Sequence, residues 1–132
     1  MAATFSKAER LKSRKVIQAM FSRQGESFGQ YPLRLVWMPM EERRSEFPVQ
    51  FGLSVPKRHF KKAVQRNVLR RKIREAYRLN KYRIYRDLPD EEQQYGFMVL
   101  YTGREMHDYE TIEKAMQQMI RRFIKKVKQG RK

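Results

Sequence analysis

The stretch Lys61 to Arg78, KKAVQRNVLRRKIREAYR, most constrains what this chain can fold into. It contains no Gly or Pro and has helical spacing. At 3.6 residues per turn, Leu69, Ile73, Ala76 and Tyr77 fall on one side. Arg70, Arg74 and Arg78 fall on the adjoining side with Asn67 and Arg71, and Arg66 lies near the seam. One face is therefore apolar, and the flank beside it is a comb of guanidinium groups. Like charges four residues apart repel by a few tenths of a kcal/mol, roughly, per pair. A polyanion along the comb would relieve that repulsion. Glu75 is the only acid in the segment, so few internal ion pairs are available. The arginines are placed for an external partner rather than for one another.

The bulk charge points the same way. The 132 residues include 31 Lys and Arg against 14 Asp and Glu, a net charge of +17. Such an excess costs self-repulsion in a free domain and is the footprint of a nucleic-acid partner. An anionic membrane surface is the other candidate. The length suits a single domain over 1–132, and with 40% apolar residues it can bury a core. Residues 1–12, basic and short on apolar side chains, read as a flexible arm, and 129–132 as a flexible tail. No cysteine is present, which excludes disulfides, thiolate metal sites and a cysteine nucleophile. No signal-like run and no membrane-length apolar stretch are visible, so the expected location is cytoplasmic.

Along the chain, Ser6-x-x-Glu9 matches a capping box. Ser13 is an alternative N-cap for a short amphipathic helix carrying Val16, Ile17, Met20 and Phe21 to about Arg23. Gly25 to Gln30 reads as a turn. Tyr31 to Met38 is a strand with Tyr31, Leu33, Leu35 and Trp37 on one side and Arg34, Val36 and Met38 on the other. Pro39 to Phe47 reads as an exposed hairpin loop, and Val49 to Val55 as the next strand, with a further short strand conceivable near Phe47 to Val55. Lys57, Arg58, Lys61 and Lys62 surround His59 and Phe60 at the strand end, with Phe60 expected as a core anchor. Leu88-Pro89-Asp90 marks a turn. The apolar run Tyr95 to Tyr101 suits a buried central strand, parallel to a neighbour. Asp108 is a candidate N-cap for a last helix, Tyr109 to Lys128, with Ile112, Ala115, Met116, Met119, Phe123 and Val127 as its core stripe. The order predicts an α+β or α/β sandwich with helices covering a mixed sheet.

Catalytic patterns are absent. The two histidines, His59 and His107, have no metal-ligand spacing. The glycines form no phosphate-binding motif, and Ser54 lacks a nucleophile-elbow context. Asp90-Glu91-Glu92 is an acidic run that reads as a solvated loop. No catalytic residue and no protein metal site are expected.

The run Phe51-Gly52-Leu53-Ser54-Val55-Pro56-Lys57-Arg58, then Ala63-Val64-Gln65-Arg66-Asn67, Arg70-Arg71 and Ile73-Arg74-Glu75 resembles the signature of the bacterial ribonuclease P protein subunit. That family has a strand ending in two basic residues, a short loop and a helix bearing R-N-x-x-[KR]-R-x-x-R. The N-terminal Glu9-Arg10-Leu11-Lys12-Ser13 run leading to Met20-Phe21 agrees, and the resemblance spans nearly the whole chain. It implies an α-β-β-β-α-β-α sandwich with a left-handed βαβ crossover through the arginine helix. That hand runs against the general right-handed preference, and periodicity alone would not predict it. It also implies a holoenzyme that removes the 5′ leader of precursor tRNA, with catalysis by the RNA and Mg²⁺ bound mainly by that RNA. The implied partners are the catalytic RNA and precursor tRNA, with no membrane and a protein monomeric outside the ribonucleoprotein. By the same resemblance Lys57, Arg58, Lys61, Lys62, Arg66, Asn67, Arg70, Arg71 and Arg74 would contact the catalytic RNA. Ile17, Phe21, Arg34 and Val36 would line a groove for the single-stranded leader. Ile17 stands where many members carry a second Phe, and Val36 where an aromatic sometimes lies, so packing replaces stacking there. The principal alternative is a ribosomal or assembly-type RNA-binding protein of the same general fold. A DNA-binding domain is a third reading, against which stands the apolar strand between the arginine helix and the last helix.

Overall fold

The structure, a computed structural model, describes residues 5–22, 25–88 and 92–130. A 3-10 turn, Lys7–Glu9, precedes α1 (Arg14–Phe21), β1 (Glu26–Gln30), β2 (Leu33–Pro39), β3 (Val49–Ser54), α2 (Ala63–Asn80), α3 (Tyr82–Asp87), β4 (Tyr95–Tyr101) and α4 (Tyr109–Gly130). The four strands form one mixed sheet in the order β1-β2-β4-β3. β1 with β2 and β2 with β4 are antiparallel, and β3 with β4 is parallel. This is an α+β sandwich. The apolar run at 95–101 is the central strand and has the parallel neighbour its composition suggested.

Three expectations change. Glu26–Gln30, expected as a turn, is a strand; this is the additional strand, not one near Phe47 to Val55. Only Phe28 of it is buried, beneath the Arg122 guanidinium, 4.2 Å from the ring centroid. Arg122 also donates to the Gly29 carbonyl at 2.8 Å, so α4 clamps this edge. The turn proper is Tyr31-Pro32, joined by a cis peptide bond, as a tight turn with proline at its third position requires.

The 40–48 segment is not a hairpin loop, because β4 lies between β2 and β3. It crosses the sheet end and is held there by Gln94, whose side chain is buried. The Gln94 amide accepts from the Arg44 N–H at 2.8 Å and donates to the Phe47 carbonyl at 2.7 Å. Leu79 to Leu88 carries the end of α2 and all of α3; of the expected turn at Leu88-Pro89-Asp90, Pro89 and Asp90 lie outside the described residues, as does Glu91.

The third change concerns the ends. From Phe5 onward the expected arm is packed. Phe5 meets Phe51 and Tyr77 edge-on at 5.7 and 6.0 Å. The Leu11 N–H donates to the Phe51 carbonyl at 2.9 Å, which adds a parallel bridge to the β3 edge. The cause is Glu9, the acid of the expected capping box. Its carboxylate accepts from the Ser6 N–H at 3.0 Å and from Lys81 Nζ at 2.5 Å, and the Tyr85 hydroxyl also donates to it. Glu9 and Lys81 are both buried. At the other end, Gln129 and Gly130 continue α4 rather than forming a tail.

Two apolar layers result. Leu33, Leu35, Trp37, Phe97 and Val99 face α2 and α4, whose Leu69, Ile73, Ala76, Tyr77, Ile112, Met116 and Phe123 complete the main core. Phe60 joins it as the expected anchor. The opposite sheet face carries a smaller cluster, Leu11, Met20, Val36, Met38 and Met98, under α1. Ser13 caps α1, accepting from the Val16 N–H at 3.3 Å, and Asp108 caps α4, accepting from the Thr111 N–H at 2.9 Å.

Burial alone would push the Glu9 carboxyl up; hydrogen bonds from Lys81, Tyr85 and the Ser6 N–H, with the Lys81 charge, outweigh it and hold it below its ordinary value. A depressed carboxylate stabilises the fold above its unfolded pKa, about 4.3, and that share is lost as pH falls through the folded value. Lys81→Met leaves a buried unpaired carboxylate and is expected to cost about 3–5 kcal/mol in urea unfolding at neutral pH. The deficit relative to wild type should shrink in acid, where Glu9 is protonated in both.

Candidate nucleic-acid interface

The parallel pairing of β3 with β4 requires a crossover, and α2 supplies it. Its start is set by Lys57 to Lys62 at the end of β3, all four cations exposed. Between Lys57 and Arg74 the chain carries nine Lys and Arg and no acid. The apolar face of α2 is wholly buried, so the adjoining flank must point outward along the β3 edge.

The comb is not uniform. Arg66 donates to the Phe60 and Lys61 carbonyls at 2.7 and 3.0 Å, so it braces the loop that presents Lys61 and Lys62. Arg78 is paired with Glu75 at 2.6 Å. Arg70 donates to Asn67 Oδ1 at 3.2 Å, which orients the exposed Asn67 amide. Arg71 and Arg74 are exposed, and among the described residues no carboxylate pairs with either. Sequence spacing identified this strip but not the bracing role of Arg66, which depends on where the 60–61 carbonyls turn.

The expected groove residues come together on the α1 side of the sheet. Register places Ser27, Arg34, Val36, Met98, Leu100, Gly52 and Ser54 on this face. α1 covers one end of it. A Cβ on Gly96 would lie 3.3 Å from Met20 Sδ and 3.4 Å from Val16 Cγ1, so α1 rests directly on the glycine backbone. Beyond α1 the face is open. Phe21 is 52% exposed at its rim, and Ile17 is half-buried. Arg34 is exposed and donates to Ser27 Oγ at 3.0 Å. Val36 is buried in the small cluster and is floor rather than contact surface. Leu100 and Ser54, one half-buried and the other exposed, were not foreseen as lining; strand register, invisible in single-strand periodicity, brings them opposite Arg34.

Comb and groove are contiguous. One cleft is walled by Ile17, Gly52 and Met98 on one side and by Arg70 and Arg74 on the other. A polyanion on α2 can thus pass an unpaired strand straight onto an apolar floor.

The family model for ribonuclease P matches residues 5–124. The chain belongs to the ribonuclease P protein family. The ribonuclease P protein component of Porphyromonas gingivalis strain ATCC 33277 is 41% identical over 126 residues, covering 92% of this chain and 88% of the relative. That of strain W83 is 40% identical over 121 residues, covering 89% and 85%. Among solved structures, the RNase P protein of Staphylococcus aureus superposes with a TM-score of 0.67 at 19% identity, covering 89% of this chain and 96% of that one. The RNase P protein of Thermotoga maritima gives 0.65 at 22%, covering 86% and 96%. These two show the fold. Family membership carries a general role in tRNA processing within a ribonucleoprotein enzyme.

The described residues offer no fitting site for a resident Mg²⁺. Among the described residues no three His, Asp or Glu side chains gather, and the interface is lined by cations that repel a dication. No helix of the described residues is long and apolar enough to cross a membrane.

Burial separates groove from core within α1. Met20→Ala should cost about 2–5 kcal/mol in urea unfolding. Phe21→Ala, one residue on, should stay within about 0.5 kcal/mol.

Proposed function

We propose that this chain is the cytoplasmic protein subunit of ribonuclease P. It binds the catalytic RNA through Lys57, Arg58, Lys61, Lys62, Asn67, Arg70, Arg71 and Arg74, with Arg66 bracing the loop. It holds the 5′ leader of precursor tRNA in the groove of Ile17, Phe21 and Arg34 above Val36. The observation that carries this reading is the contiguity of a guanidinium strip, whose Arg70, Arg71 and Arg74 pair with no carboxylate among the described residues, with an open, apolar-floored groove.

The chemistry suits the two tasks. Guanidinium forks meet phosphate oxygens bidentately and stay charged at every physiological pH. They fix a structured RNA by its backbone. The Asn67 amide supplies donors to a sugar or base edge. An exposed Phe beside aliphatic floor receives unpaired bases by stacking and packing, with little sequence preference. The nucleophilic water and the Mg²⁺ that activates it belong to the RNA; the chain supplies positioning and charge neutralisation, and no residue of it is assigned a catalytic step. The protein acts as a single copy beside its RNA.

The deciding experiment mixes the protein with ribonuclease P RNA at low Mg²⁺ and follows leader removal from precursor tRNA. Protein is expected to raise cleavage by the RNA, and protein alone to cleave nothing; no enhancement would favour a non-enzymatic RNA-assembly role. Arg70→Ala and Arg74→Ala should each flatten the plot of log K against log salt by roughly 0.7–0.9. Arg78→Ala, already neutralised by Glu75, should flatten it less. Phe21→Ala should weaken leader-bearing tRNA more than mature tRNA, and equal losses would remove Phe21 from the groove.

A further inference from the structure

The packed arm carries two cations that the proposed interface does not use. Arg10 and Lys12 are exposed and line the same cleft as Arg70 and Arg74, a space of about 530 Å³ between arm, α1, β3 and α2. That volume is within the range of small-ligand sites. No carboxylate lines it among the described residues. Its floor is Gly52 beside Met98. Gly52 lets the Met98 side chain pack against the strand backbone, where a Cβ would meet Met98 Cε at 3.0 Å, so the floor is a flat thioether and backbone surface.

A short basic arm would normally drift from four mutually repelling cations. Here it is fastened beneath them. Glu9 sits one residue before Arg10, buried against Lys81 and Tyr85, while the Leu11 N–H is bonded to the Phe51 carbonyl. Gln50 Nε2 adds a bond to the Ala8 carbonyl at 3.3 Å. The fastening points alternate with the cations, so Arg10 and Lys12 are directed outward while their neighbours point in. Fastening like charges around an empty cleft is costly unless an anion arrives.

We propose that the buried Glu9–Lys81 pair is a positioning device that holds Arg10 and Lys12 opposite Arg70 and Arg74, closing a phosphate site over the Gly52–Met98 floor for one unpaired leader nucleotide. The phosphate is met by Arg10 and Lys12 from the arm, with Arg70 and Arg74 on the opposite wall shared between it and the catalytic RNA, and the base lies on the apolar floor, where Ile17 begins the groove. This site joins the comb to the groove and sets where the leader leaves the catalytic RNA. It rests on the reading that the groove holds a leader.

The test uses the assembled ribonucleoprotein and precursor tRNAs carrying a single neutral methylphosphonate at successive leader phosphates. With wild-type protein, one position is expected to lose about tenfold in affinity. Lys12→Ala should lose about the same with unmodified leader and become insensitive at that position. Glu9→Gln should reproduce both effects, and adding it to Lys12→Ala should cost nothing more. Lys12→Arg should restore binding in the wild-type background and not in Glu9→Gln. Should Glu9→Gln fail to fold, Tyr85→Phe, which removes one hydrogen bond from Glu9, replaces it. Additive losses, or a methylphosphonate profile unchanged by either variant, would overturn the positioning role and leave Glu9 structural. Sensitivity moving to phosphates of the catalytic RNA would overturn the leader assignment. If wild-type complex binds leader-bearing and mature tRNA equally, the groove reading itself fails and takes this inference with it.

Discussion

The parallel pairing of β3 and β4 is the constraint on which the rest depends. Parallel neighbours cannot be joined by a tight turn, so the chain must leave the sheet, cross a face and return. That obligation makes α2 long, buries its Leu69–Ile73–Tyr77 side and turns its arginine flank to the β3 edge. The same topology puts β4 inside the sheet, where its apolar run is buried except at Leu100 on the open part of the α1 side. Helix position, strand burial and cation display follow from one pairing choice.

The charge distribution is organised by partnership rather than by density. Cations that hold the protein together have internal partners: Lys81 under Glu9, Arg66 on the 60–61 carbonyls, Arg122 across Phe28 and the Gly29 carbonyl. Arg71 and Arg74 have none of comparable kind. One acid, Glu9, neutralises the buried Lys81, carbonyls hold Arg66 and Arg122, and the surplus of a chain at +17 is gathered on surfaces that the core does not touch.

Elements with long, regular burial were legible in the sequence. The faces of α2 and α4 and the centrality of β4 could be read because each buries five or more residues at one period. β1 could not, since it buries only Phe28 and its remaining residues, Glu, Ser, Gly and Gln, are those of a turn. Strand order was also hidden: nothing in the period of β2 or β3 reveals that β4 comes between them. The arm was misjudged because its anchors are a carboxylate and a backbone bridge, not an apolar stripe. Among the interface residues, the arginines followed from spacing and the resemblance, whereas Leu100, Ser54, Arg10 and Lys12 depended on register and on a partner seventy residues away.

One detail under α1 bears on how the groove could diverge among relatives. A Cβ at Gly96 would come within 3.3 Å of Met20 Sδ and 3.4 Å of Val16 Cγ1, so the bare backbone is what lets α1 sit low on the sheet. An alanine there would make those two side-chain ends give by a few tenths of an ångström, directly under the turn that carries Phe21. The depth of the groove rim is therefore tuned from beneath, by the smallest side chain on the central strand.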